Sequence, residues 1–442
     1  MDEANNRIGQ GGNAIPTPGK WFNRNVFGFG LTSLLGDICH EMATAVLPQF
    51  MQAIGSSAAA LGFIEGVGDA ISSFAKLGAG YHSDKIGYRK AWSVLGYALT
   101  AVAKAVFAFA FAWPLILVGR SVGWLGRGIR GPLRDAMLAE SVAPQDRGKA
   151  FGFHRAGDTA GAVLGPLAAF ALLTWASTHP AIVQHVNSWL PGDAAAHGGI
   201  FRIIFLLTLI PGILSVLSMA FLITEKRRPR NHEMRFMTTL RGLPRDYRTF
   251  LLAVGLFGLA DFAPTLMILR ASTVLAPSVG LLNAARYAAL LYLLRNVVYA
   301  LASYPIGALS DRFHFQRTHY LAVGYGVAVA TFTGFAIALP SVWWFVGCFA
   351  LAGVFIAWED TMEGVAVRDY VHESVAGTAY GVLGVVNGVG DFASSLIVGV
   401  LWTSLGAPWG FAYSIVVGAA GTLLMALTKA RAPLASSGAS RT

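Results

Sequence analysis

Residues 80–90 read Gly80-Tyr-His-Ser-Asp84-Lys85-Ile-Gly87-Tyr-Arg89-Lys90, and residues 307–317 read Gly307-Ala-Leu-Ser-Asp311-Arg312-Phe-His-Phe-Gln-Arg317. Each is a glycine, three residues, an aspartate and then a base. The echo continues downstream. Arg134-Asp135, Glu140-Ser-Val-Ala and Ala150-Phe-Gly are answered by Arg368-Asp369, Glu373-Ser-Val-Ala and Ala379-Tyr-Gly. Asp37 and Asp261 each stand soon after a Gly-Leu pair. Self-similarity on this scale predicts two copies of one helical unit in tandem.

The segments around these motifs are apolar and long. A spanning helix needs about 20 mostly apolar residues. Such runs fall near 26–51, 58–80, 91–111, 114–140, 148–176, 200–223, 249–274, 279–309, 318–339, 342–368, 374–402 and 407–429, which makes twelve. Several carry charges, so a plain hydropathy count is expected to miss the second, fourth or tenth. The 442-residue chain is 55% hydrophobic and only 13% charged, with mean hydropathy +0.56. A soluble domain carries about 25% charged residues, so lipid must cover most of this surface. The fold class expected is an all-α membrane protein.

The net charge of +10 invites a nucleic-acid reading. Its location argues for a membrane instead, because no basic module stands apart from the apolar runs. Lys85, Arg89, Lys90, Arg147 and Lys149 lie on one side, with the dense stretch from Lys226 to Arg248, then Arg312, Arg317 and Lys429. The opposite loops, 52–57, 112–113, 177–199, 275–278, 340–341 and 403–406, hold no Lys or Arg. That asymmetry predicts both termini in the cytoplasm.

The expected division is a tail over 1–24, a six-helix bundle over 25–223, a basic linker over 224–248, a second bundle over 249–430 and a tail over 431–442. The linker reads as a solvated segment beside anionic headgroups. Cys39 and Cys348 sit in apolar runs and read as small core residues. The N-terminal residues lack the basic-then-apolar order of a signal peptide.

These residues resemble the major facilitator superfamily over about 25–430. Gly80–Lys90 is similar to its signature between the second and third helices. Gly161-Ala-Val-Leu-Gly165-Pro166 resembles the fifth-helix motif of antiporters, and Arg120 stands where the family has a fourth-helix arginine. Gly126-Arg-Gly-Ile-Arg130-Gly-Pro-Leu-Arg134-Asp135 resembles a bacterial subgroup of unassigned substrate. Two departures stand out. The second-half signature lacks a glycine equivalent to Gly87, and Gly123-Trp-Leu-Gly126 replaces the Gln-Gly usual after the fourth-helix arginine. The resemblance implies two pseudo-symmetric six-helix bundles in a bacterial inner membrane. It also implies a gating role for Gly80, Asp84, Lys85, Gly87, Arg89, Asp311 and Arg312. The first, fourth, seventh and tenth helices would line a central cavity, and the third of each three-helix unit would be peripheral.

Charge inside a membrane is expensive and so faces the interior of a bundle. Asp37 and Glu41 are four apart and share a helix face, as do Glu359 and Glu363. A carboxyl group moving between water and a low-dielectric site gains and loses its proton. Asp37, Glu41, Asp261, Glu359, Asp360 and Glu363 are therefore candidates for proton coupling or substrate contact, and structural ion pairing is the competing reading. Arg127 is the candidate for an anionic substrate group. Arg130 and Arg134 suit gate pairing or ligand binding, and Arg155 with Asp158 a local pair. His154 reads as a packed polar residue, and Phe107, Phe109 and Phe111 as facing lipid or neighbouring helices.

The expected function is secondary transport of a small solute by a monomer, with proton-coupled efflux favoured and no cofactor. A metal or metal-chelate carrier, using Asp37, Cys39, His40 and Glu41, and uptake of an anionic metabolite are the alternatives. No metal-ligand spacing, nucleophile elbow or P-loop points to an enzyme or an ATP-driven pump.

Overall fold

The computed structural model describes residues 21–86, 89–188, 198–225, 243–312, 317–371 and 376–428. Among them the regular elements are helices: α1 (Arg24–Thr44), α2 (Leu47–Ala53), α3 (Ala58–Ile86), α4 (Lys90–Phe107), α5 (Trp113–Glu140), α6 (Arg147–Thr178), α7 (Pro180–Asn187), α8 (Gly199–Leu207), α9 (Leu209–Leu222), α10 (Arg245–Gly258), α11 (Pro264–Val279), α12 (Leu281–Arg312), α13 (Arg317–Ile337), α14 (Val342–Tyr370), α15 (Ala376–Leu405) and α16 (Ala407–Leu427). They make twelve spans, because α1 with α2, α8 with α9, and α10 with α11 each form one.

Two expectations change. The first and seventh spans are not continuous. The first breaks after Thr44, and the seventh breaks over 259–263, just before Pro264. Proline cannot donate to the helix ladder and suits a helix's first turn, so α11 starts there afresh. The loop expected over 177–199 contains a short helix, α7. Among the described residues, eight helical segments are long and apolar enough to cross a membrane on composition alone. The second and tenth spans pass that measure. The first, third, fourth and seventh do not: the fourth carries its arginines, and the first and seventh are broken and acidic.

The two halves repeat one pairing scheme. In the first half α1 packs on α6 and α9, α3 on α5, and α4 on α5 and α9. In the second α10 packs on α15 and α16, α12 on α14, and α13 on α14 and α16. The third member of each three-helix unit sits outside and shows apolar side chains outward. Val102 on α4, Phe221 on α9, Val323 on α13 and Val416 on α16 are all exposed. Such a surface requires lipid. Phe109 and Phe111 are half-exposed, and Phe107 is fully buried against Phe205 of the neighbouring α8, both within the expectation of lipid or helix contact.

The halves meet along α3 with α15, α6 with α12, and α2 with α11. Gly62 faces the Ser395 carbonyl, Gly66 faces Phe392, and Gly388 faces Ser73, so the α3–α15 seam runs backbone against backbone. Left-handed Gly280 (φ +83°) makes the tight turn from α11 to α12.

Candidate functional site

The site forms where the two broken spans face the fourth and tenth. Asp37 and Glu41 lie on the α1 face that packs on α6. A Cβ on Gly161 would crowd the Asp37 Cβ, and one on Gly165 would crowd that of Glu41. The glycines four apart therefore let α6 approach the backbone beneath both carboxylates. Pro166 continues α6 directly after this contact.

Asp37 sits between two arginines of α5, 3.8 Å from Arg127 Nη2 and 3.6 Å from Arg130 Nη2. The Arg130 guanidinium also lies over the Tyr97 ring, 4.1 Å from its centroid. One turn on, Arg134 Nη1 donates to Ser33 Oγ at 3.2 Å and lies 3.8 Å from Asp158. Ser33 Oγ is 2.7 Å from His154 Nε2, and Asp158 also faces His154 and Arg155 at 3.6 and 3.7 Å. Arg130 thus faces Asp37, with its Nη1 left without a hydrogen-bond partner, and Arg134 pairs with Asp135 at 3.0 Å as well as facing Asp158. The side chain of Asp84, their other expected partner, lies outside the described residues.

Arg120 goes elsewhere. It pairs with Glu65 at 2.5 Å, both side chains 2% exposed, and its guanidinium lies over Trp124. This pair is sealed inside the first bundle. The four α5 arginines consequently do not act as one row.

Glu41 reaches the other half, where Tyr292 Oη donates to its Oε2 at 2.7 Å. One turn along α12, Asn296 Nδ2 donates to the Ala162 carbonyl of α6 at 2.9 Å. Tyr299 Oη donates to Asp360 at 2.8 Å. Glu363 is held by Tyr325 Oη at 2.5 Å and Asn387 Nδ2 at 2.7 Å. Glu359 is 8% exposed, and its Oε2 has no hydrogen-bond partner.

Asp261 stands in the break between α10 and α11. Its backbone carbonyl accepts from Ser394 Oγ, and Ala263 N donates to Ser395 Oγ at 3.0 Å. Side chains of α15 thus satisfy backbone groups that the interrupted helix leaves open, as non-helical backbone at membrane depth requires. Asp261 is within Coulombic reach of Arg295, Glu363, Asp360 and Asp69. Lys76 on α3 is within Coulombic reach of Arg127 and of Asp69, Asp391 and Asp360.

Sequence reasoning missed Tyr292, Asn296 and Tyr299. Their spacing of four and three on the eighth span was the available signal. It also passed over Arg202, fully buried on α8, which donates to the Ala108 carbonyl at 2.7 Å. The stretch proposed for a metal fans out instead of converging. Cys39 meets Gly212, His40 meets the Trp124 ring, and Asp37 and Glu41 go as above. Among the described residues no three His, Cys, Asp or Glu side chains could hold a metal ion.

Of the gating motif, the side chains of Asp84, Lys85 and Asp311 and the whole of Gly87 lie outside the described residues, as does 226–242 of the linker. Gly80 lies in α3, and Arg312 ends α12. Arg89 Nη1 pairs with Glu140 at 2.5 Å, while the Arg89 and Lys90 amides donate to the Glu225 carboxylate at 2.6 and 3.1 Å. In the second half Arg317 pairs with Asp369 at 2.6 Å, again joining the start of one helix to the end of the next.

The Major Facilitator Superfamily model matches residues 29–294 and 249–441. An uncharacterised MFS-type transporter of Methanocaldococcus jannaschii is 31% identical over 382 residues, which covers 86% of this chain and 89% of that protein. A probable 4-methylmuconolactone transporter of Cupriavidus pinatubonensis is 29% identical over 135 residues, covering 30% and 31%. Among solved structures, the nucleoside transporter NupG superposes with a TM-score of 0.70 at 12% identity, covering 92% of this chain and 98% of that one. A bacterial homologue of the human lysosomal transporter Spinster, inward-facing and occupied, gives 0.69 at 18% identity, covering 91% and 96%. The fold and these matches agree: this chain belongs to the Major Facilitator Superfamily of membrane transporters.

Proposed function

We propose that the protein is a proton-coupled exporter of a small solute, working by alternating access with both termini in the cytoplasm. One observation carries the reading: Glu41 of the first half is hydrogen-bonded to Tyr292 of the second, one turn from Asp37 between its two arginines. A proton on Glu41 changes what the carboxyl offers Tyr292, so protonation is linked to how the halves meet. The Gly161–Pro166 segment beneath the carboxylates, similar to the antiporter motif, favours exchange and so efflux. Asp84, Lys85, Arg89, Asp311 and Arg312 serve as the gate at the cytoplasmic end, and the positive-inside distribution supports that orientation.

The test is flux in proteoliposomes under an imposed pH gradient, screened across organic anions, organic cations and divalent metals. Asp37→Asn and Glu41→Gln should insert normally and lose gradient-driven flux by about tenfold or more, the scale of a lost coupling step. Wild-type gradient dependence in Asp37→Asn removes that residue from coupling. A second reading, uptake of an anionic metabolite, is favoured by Arg127. Its side chain is 30% exposed, while its Nη1 is buried and unpartnered. Flux of an anion inward with protons, and none outward against them, selects it.

A further inference from the structure

We propose that Asn296 is a positioning residue of the transport cycle, a latch that supplies from the second half the hydrogen bond that Pro166 removes from α6 in the first; this rests on the transport reading above. Pro166 lies inside α6 and is buried. A proline has no N–H for the carbonyl four residues back, and its ring crowds that carbonyl out of the ladder. Here that carbonyl belongs to Ala162. A backbone oxygen freed at membrane depth must find another donor. The donor is Asn296 Nδ2 of α12, at 2.9 Å.

The contact suits an amide. Asn296 is more than nine-tenths buried. Its Oδ1 accepts from Arg295 Nη1 at 3.2 Å, so the oxygen is engaged and the nitrogen is turned to Ala162. Gly161 and Gly165 lie against the α1 backbone, which seats α6 in its own half while the freed carbonyl is left to the other.

Ala162 and Asn296 are each the sixteenth residue of a 32-residue helix. Two further contacts of this seam lie on one side of them, away from the ends at Arg147 and Arg312. Tyr292 meets Glu41, and Arg286 lies over the Phe170 ring at 5.6 Å. Toward Arg147 and Arg312, Gly152 on α6 and Leu301 and Tyr304 on α12 are exposed. Contacts that run from the middle of a seam to one end are those that rocking of the halves breaks. When the seam parts, entering water serves the Ala162 carbonyl. When it is shut, Asn296 must. Loss of Asn296 therefore penalises one state and spares the other, and only such a difference moves the balance between states.

The experiment uses the full-length protein with Cys39 and Cys348 replaced by serine and spin labels on cysteines at Gly152 and Tyr304. A Cβ at Gly152 meets nothing within 4 Å, and Tyr304 is 82% exposed. Pulsed electron resonance in liposomes gives the distances between the labels. Rocking away from the present state brings the labelled ends together. Asn296→Leu should raise the share of the short distance over the long by about fivefold, the scale of one net hydrogen bond. Asn296→Ala should do the same, and stands in if leucine prevents insertion. In Pro166→Ala the restored N–H serves Ala162, so the same Asn296 substitution should change the ratio by less than about twofold. A bond that only stabilised the fold would lower the unfolding midpoint and leave the ratio alone. An unchanged ratio in both Asn296 variants overturns the latch. An equal change with and without Pro166 overturns its link to the proline. These distances need no solute, so absence of flux for every solute class would defeat the transport reading whatever the ratio shows.

Discussion

Arg120 and Arg127 stand seven residues apart on α5 and have opposite circumstances. Arg120 is closed into a pair with Glu65, whereas Arg127 keeps a buried donor unpartnered and nearly a third of its side chain exposed. Steps of seven, three and four put both on one helix face with Arg130 and Arg134. Sequence could not show that Glu65 on a different helix would claim one of them, because that depends on how α3 and α5 meet. Breaking a buried pair from one side leaves an uncompensated charge and costs about 3–5 kcal/mol. Arg120→Leu should therefore lower the thermal unfolding midpoint of the detergent-purified protein markedly. Adding Glu65→Leu to it should recover most of that loss, since an apolar replacement of both partners is close to neutral. A double variant no more stable than the single one would contradict the account. Asp37, Glu41 and the tenth-span acids were legible because a carboxyl set in an apolar run is costly unless it turns toward the bundle interior. Tyr292 was not, because a tyrosine in a membrane helix reads as packing until its hydroxyl has a partner.

At the scale of the element, interrupted and closely packed helices set the site. The break before Pro264 places Asp261 outside a helix, where Ser394 Oγ donates to its own carbonyl and Ser395 Oγ accepts from the Ala263 amide. The run Gly258-Leu-Ala-Asp-Phe-Ala-Pro264 contains both signals for a break, a glycine and a proline. Hydrophobic continuity on either side hid it. The break after Thr44 had weaker warning, with Pro48 two residues into α2. Glycine contacts are similarly unequal. Gly165 has α1 backbone and the Glu41 Cβ directly against it, whereas Gly131 has nothing within 4 Å. Overpacking a tight contact costs about 1–3 kcal/mol. Gly165→Val should lower the unfolding midpoint and reduce flux, because α1 and Glu41 must shift. Gly131→Ala should leave both unchanged, and a comparable loss in Gly131→Ala would remove the packing explanation. Both glycines lie inside helical runs, and sequence alone cannot rank them, because rank depends on which neighbour each one meets.

For the whole molecule, the repeat of residues 80–90 at 307–317 announced two halves, and their matched helix pairings bear that out. Which helices join the halves was not legible, because a seam is a relation between units and leaves no period in either one. The seam chosen here is antiparallel and close. It runs from Ala59 N, which donates to Thr403 Oγ1 at 2.9 Å, past Gly62 against Ser395 and Gly66 against Phe392, to Gly381 against Leu77. Alternating access requires the halves to rock about such contacts, so the end near Ala59 must separate when the cavity opens on that side. A covalent tie there should stop the cycle without unfolding either bundle. Both native cysteines are buried, so they can be replaced by serine or alanine to give a clean background. In that background, cysteines at Ala59 and Thr403 should cross-link under mild oxidation. Exchange of solute across proteoliposomes should then fall by about tenfold or more, since the locked form cannot reach the second state. Reduction should restore it, and either single cysteine should show no effect. Full exchange in the demonstrably cross-linked protein would mean that this end of the α3–α15 seam stays closed throughout transport, and the opening would then have to lie wholly between α6 and α12.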